Sequence, residues 1–194
     1  MTRGLIVVLL VFALWQIAIG GWIQTKAWLG QVLLERAWST SAEAGGRVPW
    51  PGAVSYPVAR LSLPELALDW LVLQGLDGAV LAWGPGTEMG PKGHRVIAAH
   101  RDTHFRPLEQ VKPGQLFRLE TNDGSVDHWR VVETSIVDAR LNALDMGLNE
   151  QRLTLVTCYP FDGSQPGGPL RFVVSLVPDR SDNNKIDNNT LKGA

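Results

Sequence analysis

The chain has 194 residues, 45% of them hydrophobic, with 18 basic against 19 acidic side chains, four histidines and one cysteine. That length fits one domain of roughly 100–200 residues plus extensions, with room for a real core. The near-neutral balance supplies no basic field for phosphates, which excludes nucleic acid as an expected partner, and a lone cysteine excludes an internal disulfide.

After a three-residue N-terminus, positions 4–23 read GLIVVLLVFALWQIAIGGWI, with Gln16 the only strongly polar side chain. About 20 mostly apolar residues match the thickness of a hydrocarbon core, so this segment is predicted as a transmembrane anchor. Trp22 and Trp28 stand at or just past its end, where an indole suits the membrane interface. Arg3 before it and Lys26 after it give only a weak vote for a cytoplasmic N-terminus. A cleaved signal peptide is the rival reading, because Ala18-Ile19-Gly20 resembles a small-residue cleavage site. The run is, however, longer than the roughly 7–15 apolar residues of a signal sequence. Either reading exports the C-terminal remainder of the chain.

Residues 24–56 read as an amphipathic helix and a linker. Ala27, Leu29, Val32, Leu33, Ala37 and Trp38 recur at spacings near three and four, which predicts a helix over 25–42 continuing from the anchor. It is read as a stalk, ending near Gly45-Gly46 and followed by an extended piece with Pro49, Pro51, Gly52 and Pro57.

From residue 57 to 178 short apolar runs alternate with turn residues, which predicts a β-rich domain. Strands are expected at 59–63, 66–73, 95–99, 116–121, 126–133, 153–157 and 170–177, with a hairpin turn at Asn122-Asp123-Gly124. Their close spacing fits a barrel or a sandwich. Residues 159–169 hold Pro160, Gly163, Pro166, Gly167, Gly168 and Pro169 and must form a loop. The polar stretch 179–194 reads as a disordered tail.

Cys158 ends an apolar strand and precedes that loop, which puts its sulfur at a rim open to substrate. A thiol with the usual pKa of about 8.5 needs a basic or positive neighbour to act as a nucleophile. His100 is the best candidate, standing where the buried run Val96-Ile97-Ala98-Ala99 gives way to Arg101-Asp102-Thr103. His94 and His128 read as structural, and His104 as a pocket-lining residue. His100 and His104 have the spacing of two metal ligands, but Arg101 stands where a zinc peptidase carries Glu and the segment is not helical. No metal and no cofactor is expected, and Glu88, Asp102, Asp127, Asp138 and Asp145 read as scattered surface carboxylates. Asp102 could orient His100 or Arg101. Arg171 begins the strand after the loop; if that strand neighbours the one ending at Cys158, its guanidinium faces the thiol.

The segments Ile97-Ala98-Ala99-His100-Arg101-Asp102-Thr103, Leu153-Thr154-Leu155-Val156-Thr157-Cys158-Tyr159-Pro160-Phe161 and Leu170-Arg171-Phe172-Val173-Val174 together resemble the sortases, cysteine transpeptidases that attach proteins to cell surfaces. The resemblance runs over about residues 48–177. Trp50-Pro51-Gly52, Tyr56-Pro57-Val58-Ala59-Arg60-Leu61 and Cys158-Tyr159-Pro160-Phe161-Asp162 are most similar to the class found in Gram-negative proteobacteria. Ala99 stands where sortases commonly carry Gly, and His94 where Asn is frequent.

The resemblance implies a closed eight-stranded β-barrel with short helices behind the anchor. It implies Cys158 as nucleophile, His100 as general acid and base, and Arg171 as stabiliser of the oxyanion or substrate, with Thr157, Ala99 and His104 lining the substrate groove. The implied partners are the membrane, an exported protein with a C-terminal signal like Leu-Pro-x-Thr-Gly, and an amine acceptor. An enzyme acting on exported proteins places its N-terminus in the cytoplasm and its domain on the periplasmic side of the inner membrane. Two other readings stay open: a barrel that binds sorting signals without turnover, and a cell-wall cysteine transpeptidase of another kind, whose tight Gly and Arg around the Cys are not matched by Thr157-Cys158-Tyr159.

Overall fold

The structure is a computed structural model that describes residues 2–40, 46–141, 151–163 and 167–180. The tail from 181, Asp145 and part of the loop after Cys158 lie outside the described residues.

Helix α1 runs unbroken over Thr2–Ser39, in a stretch that contains no proline to remove a backbone donor. Its apolar side chains from Leu5 to Trp22 are exposed, and by length and composition the helix is able to cross a membrane. The last turns are more than a plain stalk, because they pack on the barrel. Leu34 and Ala37 are buried, Leu34 against Leu71, Leu73 and Val80, with Trp38, Trp50 and Trp83 around them. Gly30 approaches Trp83 so closely that a Cβ there would lie 2.3 Å from the indole ring. Gln31 Nε2 donates to the Trp83 carbonyl at 2.9 Å. Arg60 clamps the contact, reaching Glu35 of α1 at 3.1 Å and Asp69 at 2.7 Å.

Eight strands follow: β1 (Pro57–Leu63), β2 (Leu68–Gln74), β3 (Gly86–Met89), β4 (Arg95–Ala98), β5 (Leu116–Thr121), β6 (Val126–Asp138), β7 (Leu153–Cys158) and β8 (Leu170–Pro178). They close in the order β1-β2-β3-β4-β7-β8-β6-β5, and the β1–β5 pairing that completes the ring settles barrel over sandwich. Ala59, Leu61, Val72, Ile97, Phe117, Leu119, Val131, Leu153, Leu155, Val174 and Leu176 belong to the core cluster. Their alternation along each strand follows from the two-residue period of β-structure.

Two features depart from the sequence reading. β3 is a strand that periodicity does not reveal: it has four residues, of which Glu88 and Met89 are exposed. It begins on Gly86, where any Cβ would fall 2.1 Å from the Gly75 carbonyl oxygen. β6 extends past 133 to Asp138, through a register shift near residues 131–133, because β8 supplies partners all the way to its first residue. The predicted turn between β5 and β6 forms with Gly124 at φ +83°. The Asp123 carboxylate accepts hydrogen bonds from Thr121 Oγ1 at 2.6 Å and Ser125 N at 3.0 Å, and these bonds, the Thr121 hydroxyl first, hold its pKa down at about 2.

Candidate active site

The barrel's topology brings together three strands that are far apart in sequence. β4 runs parallel to β7, pairing Ala98 with Val156, and β7 runs antiparallel to β8, pairing Cys158 with Arg171. The β4–β7 pairing continues past the end of β4, where Ala99 N donates to the Val156 carbonyl at 3.3 Å and Thr157 Oγ1 donates to the Ala99 carbonyl at 2.8 Å. Continued by two residues, the register puts His100 level with Cys158. Neighbouring strands lie about 4.8 Å apart, so Arg171 stands one strand from Cys158 on one side, and the chain leading from β4 to His100 lies on the other.

Alternation fixes which way these side chains face. Ile97, Ala99, Leu153, Leu155, Val174 and Leu176 fill the core, so His100, Cys158 and Arg171 project from the outer face. On that face Val156 and Val173 pair beneath them as an apolar floor. His100 is exposed, while Cys158 and Arg171 are half-buried. Arg171 Nη1 donates to the Gly168 and Leu170 carbonyls at 2.6 and 2.9 Å, which holds the guanidinium against the loop it follows.

Thr157 and Ala99, expected to touch substrate, are 2% and 6% exposed and face inward. The Thr157 hydroxyl, bonded to the Ala99 carbonyl, ties β4 to β7 and so fixes the register of the site. His104 is half-buried in a cleft of about 310 Å³ between α1 and the barrel that also includes Gln31, Leu34, Trp70 and Trp83. Burial first, and the charge of His100 second, lower its pKa. His94 is fully buried and shares a hydrogen bond of 2.8 Å with Thr154 Oγ1, a structural role. Among the described residues no group of three His, Cys, Asp or Glu side chains gathers as metal ligands would.

One residue escaped the sequence reading. Arg101, next to His100, is 6% exposed. It donates from Nη1 to the Pro160 carbonyl at 2.6 Å, from Nη2 to the Gly163 carbonyl at 2.8 Å and from Nε to Asp102 at 2.9 Å. Arg106 Nη1 adds a bond to the Phe161 carbonyl at 2.8 Å. Asp102 therefore pairs with Arg101, which holds its carboxyl below the usual range. The Arg101 pKa is raised chiefly by that same bond, against burial, with through-space attraction from Asp102, Cys158 and Asp162. No sequence signal marks this role, because an Arg after a strand end is ordinarily a solvated charge.

A thiol opposite a guanidinium, with an imidazole on the chain that continues the other neighbouring strand, over an apolar floor and under an irregular loop, is equipped for nucleophilic attack on a carbonyl. The family profile described as sortase domain matches residues 61–178. Sortase D of Bacillus subtilis (strain 168) is 29% identical over 121 residues, which are 59% of this chain and 60% of that protein. Among solved structures, the Clostridium perfringens sortase D5 transpeptidase superposes with a TM-score of 0.60 at 16% identity over 78% of this chain and 98% of that one. Sortase A from Corynebacterium diphtheriae superposes with a TM-score of 0.55 at 22% identity, over 80% and 87%. These two establish the likeness of fold, and the profile spans more than half of the sequence, including all three strands of the site: the chain belongs to the sortase family.

Proposed function

We propose that this protein is a membrane-anchored cysteine transpeptidase that cleaves the Thr-Gly bond of a C-terminal sorting signal resembling Leu-Pro-x-Thr-Gly and transfers the protein to an amine. The observation that carries this reading is Cys158 paired with Arg171 across β7 and β8, with His100 two residues past the end of β4, the other neighbour of β7. The Cys158 thiolate attacks the Thr carbonyl carbon, and Arg171 stabilises the oxyanion. As the C–N bond breaks, the His100 imidazolium gives its proton to the departing Gly amine, leaving a thioester on the enzyme. An acceptor amine then attacks the thioester carbon, passes a proton to His100 and expels the thiolate, so the enzyme is restored and a new amide remains.

The apolar part of α1 is the anchor, with the N-terminus cytoplasmic and the barrel on the extracytoplasmic, periplasmic side of the inner membrane. Enzyme and membrane-bound substrate then share one surface, which raises their effective concentration and lets a shallow groove suffice. Within the family, the class of the Gram-negative proteobacteria is inferred from Trp50-Pro51-Gly52 and Cys158-Tyr159-Pro160-Phe161-Asp162. The Bacillus, Clostridium and Corynebacterium relatives carry class A and D names, so this assignment rests on those segments alone.

The test uses the full chain in lipid nanodiscs with a Leu-Pro-x-Thr-Gly peptide and hydroxylamine. Mass spectrometry is expected to find a hydroxamate at the Thr and a thioester adduct on Cys158. Peptide binding with neither product, across pH and several amines, would leave only a binding barrel. Turnover retained in Cys158→Ala would overturn the mechanism.

A further inference from the structure

We propose that Arg101 is a positioning residue of the transfer reaction, fixing the segment 160–163 that follows Cys158. The inference rests on Cys158 being the nucleophile.

A guanidinium is costly to bury unless its donors are placed, and Arg101, with little exposure, aims two of its three nitrogens at carbonyls of the segment 160–163. That segment begins two residues after the sulfur-bearing position. Arg101 also directly follows His100, so one side chain ties the chain carrying the imidazole to the chain carrying the thiol. Arg106 binds the intervening Phe161 carbonyl from the same connection, and Phe161 packs edge-on against Phe172 of β8, with ring centroids 5.1 Å apart. The loop is thus held at its backbone by two arginines and at its side chain by the barrel.

Gly163 fits this role. A Cβ there would lie 2.9 Å from Arg101 Nη1 and 3.2 Å from the Pro160 carbonyl oxygen, so a glycine leaves room for the guanidinium to reach both carbonyls. A planar five-donor fork makes these bonds together, and lysine's single ammonium does not.

The role of the fork is tested in the full chain. In Arg101→Gln, kcat is expected to fall about tenfold or more with KM within about twofold. Arg101→Lys keeps the charge without the fork and should show the same loss in kcat. Parent-like kcat in either variant overturns the proposal. Should Arg101→Gln fail to fold, Arg101→Lys alone carries the test. Cys158→Ala run alongside distinguishes the two levels: turnover there refutes the nucleophile itself, whereas an indifferent Arg101 in a Cys158-dependent enzyme refutes only the role given to Arg101.

Discussion

Cys158 and Arg171 occupy opposed positions of an antiparallel pair, so the guanidinium's place is set by backbone register before any side-chain contact is made. Lysine at 171 would keep a charge there but lose the planar guanidinium, whose Nη1 alone donates to both the Gly168 and Leu170 carbonyls. In the proposed mechanism Arg171→Lys lowers kcat on the order of 100-fold, the scale of losing an oxyanion donor, with a smaller change in KM; steady-state kinetics on the signal peptide measures it. Thr157 acts differently. Its hydroxyl is buried and bonded to the Ala99 carbonyl, so Thr157→Val leaves that carbonyl without its partner and should destabilise the protein by about 1–3 kcal/mol in denaturant melts. The residues with chemistry to offer were legible one at a time, because Cys and His at strand ends are unusual. Arg101 was not, since its burial depends on carbonyls about 60 positions further along the chain.

Among the elements, the β5–β6 hairpin carries a defined pH dependence. Asp123 has a folded pKa of about 2 against an ordinary value of 3.8. For a carboxyl with a depressed pKa, the stabilisation is present above the unfolded value and is lost as pH falls toward the folded one. Melting temperatures should therefore carry an acid-sensitive contribution between pH 3.8 and about 2 that Asp123→Ala removes, and that variant should melt lower than the parent at pH 7. The hairpin could be read from Asn122-Asp123-Gly124 because turn chemistry is local. β3 could not, since Gly86 is required by a backbone approach from Gly75 that only the folded sheet creates.

For the whole molecule, the main consequence of the fold is that α1 and the barrel share a buried contact. Leu34 is 2% exposed among Leu71, Leu73 and Val80, so Leu34→Ala should weaken the docking by about 2–5 kcal/mol. Hydrogen exchange in the full chain is the measurement: amides of 30–38 should exchange faster, with β7 and β8 unchanged. Gly30→Leu should give the same pattern by pushing Trp83 aside. The sequence by itself determined the long apolar helix, seven of the eight strands and the hairpin turn, and offered the candidate site residues, because periodicity, turn propensity and side-chain type act over a few positions. Only the tertiary structure decided that the barrel closes through β1 and β5, that Arg171 stands opposite Cys158 and β4 beside β7, that Thr157 and Ala99 face inward, and that Arg101 is buried against the segment after Cys158. Each of these depends on which strands become neighbours and in what register, and that choice is made by burying the whole core at once.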